Sequence, residues 1–172
     1  MRLDEALPLL QRTPDVLEAL LAGLPEPWLT CHEGADTWDA TEVLAHLVEA
    51  ERTNWMPRLR GMLTGSGAKL PAFDRFAHKQ RVSGQSPDHL LLAFRRERTS
   101  SLELLHEMNV DKEQLAHTAV HPELGNVSVS ELIATWVVHD MTHLSQILRV
   151  MAGRYRADVG PWSAYLSIIQ PR

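Results

Sequence analysis

Apolar residues return at three- and four-residue intervals in four stretches of the chain, and between them the pattern dissolves into proline, glycine and polar residues. That period belongs to helices that turn one face into a core. The strongest stretch runs from Ser128 to Met151, with Leu132, Ile133, Trp136, Val137, Ile147 and Leu148 on its inward side and Ser128 with Glu131 as a capping box at its start. A second begins at Asp39, an N-cap with Glu42 three residues on. It carries Val43, Leu44, His46, Leu47, Ala50 and Asn54 inward and ends near Leu63, with Pro57 as a possible kink. Ser86, Pro87 and Asp88 announce a third, whose stripe is Leu90, Leu91, Phe94, Leu102, Leu105 and Met108; its R-R-E-R run, residues 95–98, reads as a solvated or interface face.

Near the N-terminus, residues 3–22 hold leucines and alanines at helical spacing but are interrupted by Pro8 and Pro14. The first regular helix is therefore expected to start at Thr13 and Pro14 and to end at Gly23 and Pro25. Residues 64–85 form a long connection anchored by Leu70, Phe73 and Phe76, of the kind that crosses a bundle or covers a site. A polar connection follows Asn109, and Trp162 to Ile169 predict a short closing helix that packs on the bundle or on a second copy. With no alternating strand pattern, the expectation is an all-α four-helix bundle.

At 172 residues, one domain spanning residues 1–172 is expected. The net charge of −5, with no run of five or more like charges, disfavours a nucleic-acid partner, which would want a basic face. No stretch reaches the length of a membrane span and the first residues do not resemble a secretory signal, so the expectation is a cytoplasmic protein. One cysteine, Cys31, excludes an internal disulfide and reads as an ordinary buried thiol.

The candidate chemistry lies in histidines. His139 and His143 are four apart on the last helix, about 40° apart around its axis and roughly 6 Å between Cβ atoms. Two such imidazoles can grip one ion, and His46 on the apolar face of the second helix is a third candidate. Spacing alone leaves all three as either ligands or ordinary core and surface histidines. Three neutral imidazoles would suit zinc, nickel, iron or cobalt and leave a coordination position open. Glu42, Glu49, Thr135, Asp140, Thr142 and Gln146 are the nearby groups that could orient the rings, with Asp140 an orienting partner and not a ligand. His89 and His106 read as surface residues, and His121, before a proline, as exposed or bordering a pocket.

Four motifs carry a resemblance: W-D-A-T-E-V-L-A-H-L-V-E-A-E-R from Trp38, P-A-F-D-R-F-A in the crossover, H-P-E-L-G-N-V-S-V-S-E-L-I-A-T-W, and V-V-H-D-M-T-H-L-S-Q-I. In this order, from about Asp36 to Met151, they resemble the DinB-like superfamily. The resemblance implies a bundle of up-down-down-up order, usually a homodimer. It also implies a divalent metal, zinc, nickel or iron, on one histidine of the second helix and an H-x3-H pair of the fourth, which match His46, His139 and His143. Family members include transferases and isomerases that use bacillithiol, mycothiol or glutathione, metal-dependent hydrolases, and many without known activity. The expectation is a thiol-dependent S-transferase acting on small electrophiles. A metal-dependent hydrolase and a non-enzymatic, stress-related metal-binding protein are the alternatives. No catalytic residue beyond the ligand set is assigned.

Overall fold

The computed structural model describes residues 2–65, 67–81 and 84–170; positions 66, 82 and 83 of the expected crossover and 171–172 of the tail lie outside the described residues. Four long helical columns dominate. They are α1 (Leu3–Leu21), α3 (Ala40–Ala50) continued through a π turn (Glu51–Trp55) into α4 (Met56–Leu63), α6 (Pro87–Glu107) and α8 (Val129–Gly153). Short helices α2 (Glu26–Leu29), α5 (His78–Arg81) and α7 (Lys112–Leu115) punctuate the connections. No described helix is long and apolar enough to cross a membrane.

The starts expected for three columns hold for a local reason. Asp39 accepts from the Glu42 amide at 2.7 Å while Glu42 accepts from the Asp39 amide at 3.2 Å. Ser128 and Glu131 make the same reciprocal pair, and Ser86 caps α6 ahead of Pro87. Each cap satisfies amides that the first helical turn leaves bare.

Two core clusters define the direction of the columns. At one end Leu17 and Leu21 of α1 meet Val43 and Leu44 of α3, Leu90 and Phe94 of α6 and Ile147 of α8. At the other, Ala6 and Leu10 of α1 meet Leu59 and Met62 of α4, Leu105 of α6 and Leu132 and Ile133 of α8. So α1 and α8 run one way, α3–α4 and α6 the other, in up-down-down-up order. Leu148, expected inside, is exposed.

Between the clusters lies a buried ionic layer, and it corrects two expectations. Arg98, expected on a solvated face, is fully buried. It donates from Nε and Nη2 to Glu51 Oε1 at 3.0 and 2.7 Å, and from Nη1 to Asp140 Oδ2 at 2.7 Å. The two carboxylates outweigh the lowering effect of desolvation and hold its pKa above the ordinary arginine value; burial pushes the Glu51 carboxyl up against the pull of Arg98. The first helix, expected at Thr13, instead begins at Leu3 and continues through both prolines. Pro14 cannot supply the amide that would bond the Leu10 carbonyl four residues back, and Arg98 Nη1 does so instead at 2.8 Å. Thr13 is a buried hydroxyl that donates to Asp140 Oδ2 at 2.8 Å, not an N-cap. Pro57 likewise ends nothing. It lies in the first turn of α4, where a missing amide is tolerated, directly after the wider π turn, and the column continues.

A three-stranded sheet, absent from the all-α expectation, closes one end. Strand β1 (Ala68–Lys69) runs parallel to β2 (Thr118–His121), which pairs antiparallel with β3 (Gly125–Ser128), Thr118 opposite Ser128 and His121 opposite Gly125. Its strands are too short to show alternation, and β1 and β2 come from distant parts of the chain. The tail forms two 3₁₀ turns, Gly160–Tyr165 and Ser167–Ile169, in place of a closing helix. Only Ile169 is buried there, while Trp162 and Tyr165 are exposed.

Replacing Arg98 by alanine leaves Glu51 and Asp140 buried without their counter-charge and is expected to cost roughly 3–5 kcal/mol in urea denaturation. Arg95→Ala, which removes exposed pairs with Asp15 and Glu18, is expected to cost under about 1 kcal/mol.

Candidate metal centre

The structure brings together three histidines that the sequence separates by 93 positions between the first two. His46 projects from the packed face of α3, and His139 and His143 from successive turns of α8. Their ligand nitrogens all lie within 4.8 Å of one another, with His46 Nε2 3.2 Å from His139 Nε2.

Hydrogen bonds fix which nitrogens face inward. His46 donates its Nδ1–H to the carbonyl of Arg75 at 3.1 Å, and His143 donates its Nδ1–H to Gln146 Oε1 at 2.9 Å. A carbonyl oxygen only accepts, so both rings carry a bare lone pair on Nε2. His139 Nδ1 is buried without a hydrogen-bond partner among the described residues. Burial, reinforced by the neighbouring rings, pushes His46 down to about 3 and His139 down to about 2, and burial lowers His143 as well. Neutral imidazoles whose ligand nitrogens gather within 4.8 Å of one another form a donor set that fits a divalent ion of intermediate softness. The cluster His32, Asp39 and Glu42 also gathers potential ligands, but Asp39 and Glu42 are committed to the α3 cap.

Of the orienting groups expected from spacing, Gln146 holds. Glu42 and Glu49 do not serve His46: Glu49 is buried against Arg81 and Thr53, and Glu42 caps α3. Asp140, expected to orient a ring, turns away into the ionic layer, as its position about 100° from His139 requires. Thr142 bonds the Val138 carbonyl instead. His89 and His106 are exposed as expected, and His121 borders a cavity while its Nδ1 accepts the Glu123 and Leu124 amides.

The walls contain residues that spacing did not single out. Trp38, the residue before the α3 cap, packs its ring 4.9 Å from His46, 4.6 Å from His78 and 6.3 Å from His143. Trp55 stands edge-on to His139 at 5.1 Å, and Phe73 edge-on to His46 at 5.8 Å. His78, buried in the crossover, shares the Arg75 carbonyl with His46, bonding it at 3.1 Å. The tryptophan in W-D-A-T-E was the available signal for Trp38; no local pattern marks His78 or the Arg75 carbonyl. Two cavities flank the triad. One of about 540 Å³ opens past Trp38, Arg149 and Gln146, and one of about 430 Å³ lies between α4, the crossover and the β2–β3 turn; both are bordered by His139, Phe73 and Arg75.

The depressed histidines set the sign of an acid response. In chelator-treated protein the unfolded chain binds protons near the ordinary value of 6.5, whereas folded His46 and His139 resist until about 3 and about 2. Stability is present in full above pH 6.5 and lost as pH falls below it. Urea midpoints measured from pH 7 to pH 5 are expected to drop, and His139→Gln is expected to flatten that slope.

A model of the DinB superfamily matches residues 9–147, a span that includes most of each of the four columns and all three histidines. Among solved structures, YfiT from Bacillus subtilis, described as a probable metal-dependent hydrolase with an unusual four-helix bundle topology, aligns with a TM-score of 0.76. The alignment covers 90% of this chain and 87% of that one at 17% sequence identity, so the likeness is one of fold. A search of curated proteins finds no match. By the extent of the family model, the chain belongs to the DinB superfamily.

Proposed function

We propose that this protein is a metal-dependent enzyme that transfers a low-molecular-weight thiol to a small electrophile, with a divalent ion held by His46, His139 and His143. The observation that carries the reading is the pair of cavities meeting at His139, Phe73 and Arg75, which gives two reactants separate approaches to one centre. A divalent ion with an open position supplies Lewis acidity, polarising a carbonyl and lowering the pKa of a thiol or water. The chain's part is to bind and orient. Arg75 and His46 are linked through the Arg75 carbonyl, so the crossover that roofs the site also sets the ring of one ligand. Trp38 and Phe73 pack against the His46 ring and hold it in place. The larger cavity presents both signs of charge, Glu33 and Asp36 with Arg75 and Arg149, matching a thiol whose body carries amino and carboxyl groups. The Arg149–Glu33 pair at 2.6 Å lies on its wall.

Hydrolysis is the second reading, supported by the description of YfiT as a probable metal-dependent hydrolase with the same fold. The two separate by their need for thiol.

Untagged protein loaded with zinc or nickel is expected to hold about one ion per chain, and His46→Ala, His139→Ala and His143→Ala to lose it, as read by elemental analysis. With 1-chloro-2,4-dinitrobenzene and glutathione or cysteine as probes, product is expected only when metal and thiol are both present. Full-rate cleavage of nitrophenyl esters without thiol would replace the transferase reading by the hydrolase one. Metal that raises the melting temperature without any turnover would leave a metal-binding protein that is not an enzyme.

A further inference from the structure

The cavity beside α4 contains a cation without a counter-charge. Arg58 is only 8% exposed, and its one hydrogen bond within the described residues runs from Nη2 to the Pro71 carbonyl at 2.9 Å. No carboxylate pairs with it among those residues, in contrast with Arg98, which has two. Burial therefore lowers the Arg58 pKa with nothing raising it in return. One helical turn earlier, Asn54 is 5% exposed and its Oδ1 has no hydrogen-bond partner among the described residues. Both side chains line the same cavity, as does His139. A buried guanidinium with donors to spare is costly to folding unless an acceptor fills them, and Asn54 Oδ1, itself an acceptor, is open to a donor of the same occupant.

The rim acids do not do so. Glu131 is bound to the Ser128 amide and hydroxyl at 2.7 and 2.9 Å, and Glu123 is exposed. The other cation on the wall, Arg75, lies over the Phe76 ring at 4.6 Å. The lining shared with Arg58 and His139 includes the apolar side chains Trp55, Leu70, Phe73 and Leu132.

We infer that this cavity takes a small organic acid, its carboxylate accepting from the Arg58 guanidinium and its apolar body lying along Trp55 and Phe73 toward the His139 side of the triad. Guanidinium and carboxylate match in a planar, two-point geometry, and desolvation strengthens the pair. The inference rests on the reading of the triad as a reaction centre and names the class of its electrophilic substrate: a carboxylic acid whose reactive carbon lies beyond an apolar segment. Arg58 is a positioning and specificity-determining residue in this account and takes no part in bond making.

Phenylacetate and its neutral analogue phenylacetamide are suitable probes for the full chain, read by calorimetry or by quenching of tryptophan fluorescence, with zinc content measured on the same samples. Wild-type protein is expected to prefer the acid by about tenfold, the scale of one hydrogen-bonded charge interaction. Arg58→Gln is expected to abolish that preference while zinc content stays at the wild-type level, and Arg58→Lys to keep part of it. If Arg58→Gln does not fold, the acid-to-amide ratio in the wild type and in Arg58→Lys decides. Equal affinity for acid and amide, no binding of phenylacetate at millimolar concentration, or unaltered acid binding in Arg58→Gln would each overturn the inference. So would loss of the acid preference on removing zinc with Arg58 intact, since the metal would then be the carboxylate's anchor. Acid preference in protein that takes up no zinc would keep this site and remove the metal reading instead. Zinc uptake without acid preference does the reverse.

Discussion

The interaction on which the structure depends is the buried charge layer around Arg98. One guanidinium reaches Glu51 on the second column, Asp140 on the fourth and the Leu10 carbonyl on the first, and Thr13 closes the layer on Asp140. Charges taken from water at such depth are unfavourable unless their geometry is nearly complete, so the layer tolerates few relative positions of the four columns. An apolar core would permit sliding by a fraction of a turn; directional bonds to fixed atoms do not. The Trp136 indole adds a further bond to Glu51 Oε1 at 2.7 Å.

That constraint is also what sets the histidines. His139 precedes Asp140, so locking Asp140 to Arg98 rotates His139 to the other side of α8 and toward α3. His46 lies five positions before Glu51, which is tied to the same guanidinium. The ionic layer and the triad are thus two readings of one register, one facing the bundle axis and the other its flank. Burial then keeps the rings neutral, and bonds from Nδ1 to the Arg75 carbonyl and to Gln146 leave the inward nitrogens as donors of electron pairs. The family places the chain among proteins of this architecture, but a fold of this kind hosts more than one chemistry, and the walls of the two cavities carry the information about what enters.

The π turn at Glu51–Trp55 links stability to the site. It leads into the turn that carries Pro57 and places Glu51 in the ionic layer while Asn54 and Trp55 face the second cavity. Wide turns within helices recur where a protein needs side chains displaced from the regular helical stripe. The crossover has a similar double role: Leu70 is buried at one end of the bundle, Phe73 packs beside it, and the Arg75 carbonyl sets the ring of His46.

Local chemistry made much of this legible in advance. Caps at Asp39, Ser86 and Ser128, the apolar stripes and the four-residue spacing of His139 and His143 are determined by neighbours in sequence, because helix periodicity and end-bonding act over a few residues. His46 stood out by its place on the apolar face of the second helix, and the motifs then matched it to a ligand position. Long-range contacts decided the rest. Arg98 looks like its neighbours Arg95 and Arg96, which reach solvent, until two distant carboxylates turn toward it. Pro14 looks like a helix start until a side chain from another column supplies the bond it lacks. Strand β1 has no pattern of its own without β2 beside it, and Arg58 stands apart only once it is seen buried with no carboxylate paired to it among the described residues. Charge burial and strand pairing depend on what arrives from elsewhere in the chain, and that is settled by tertiary packing alone.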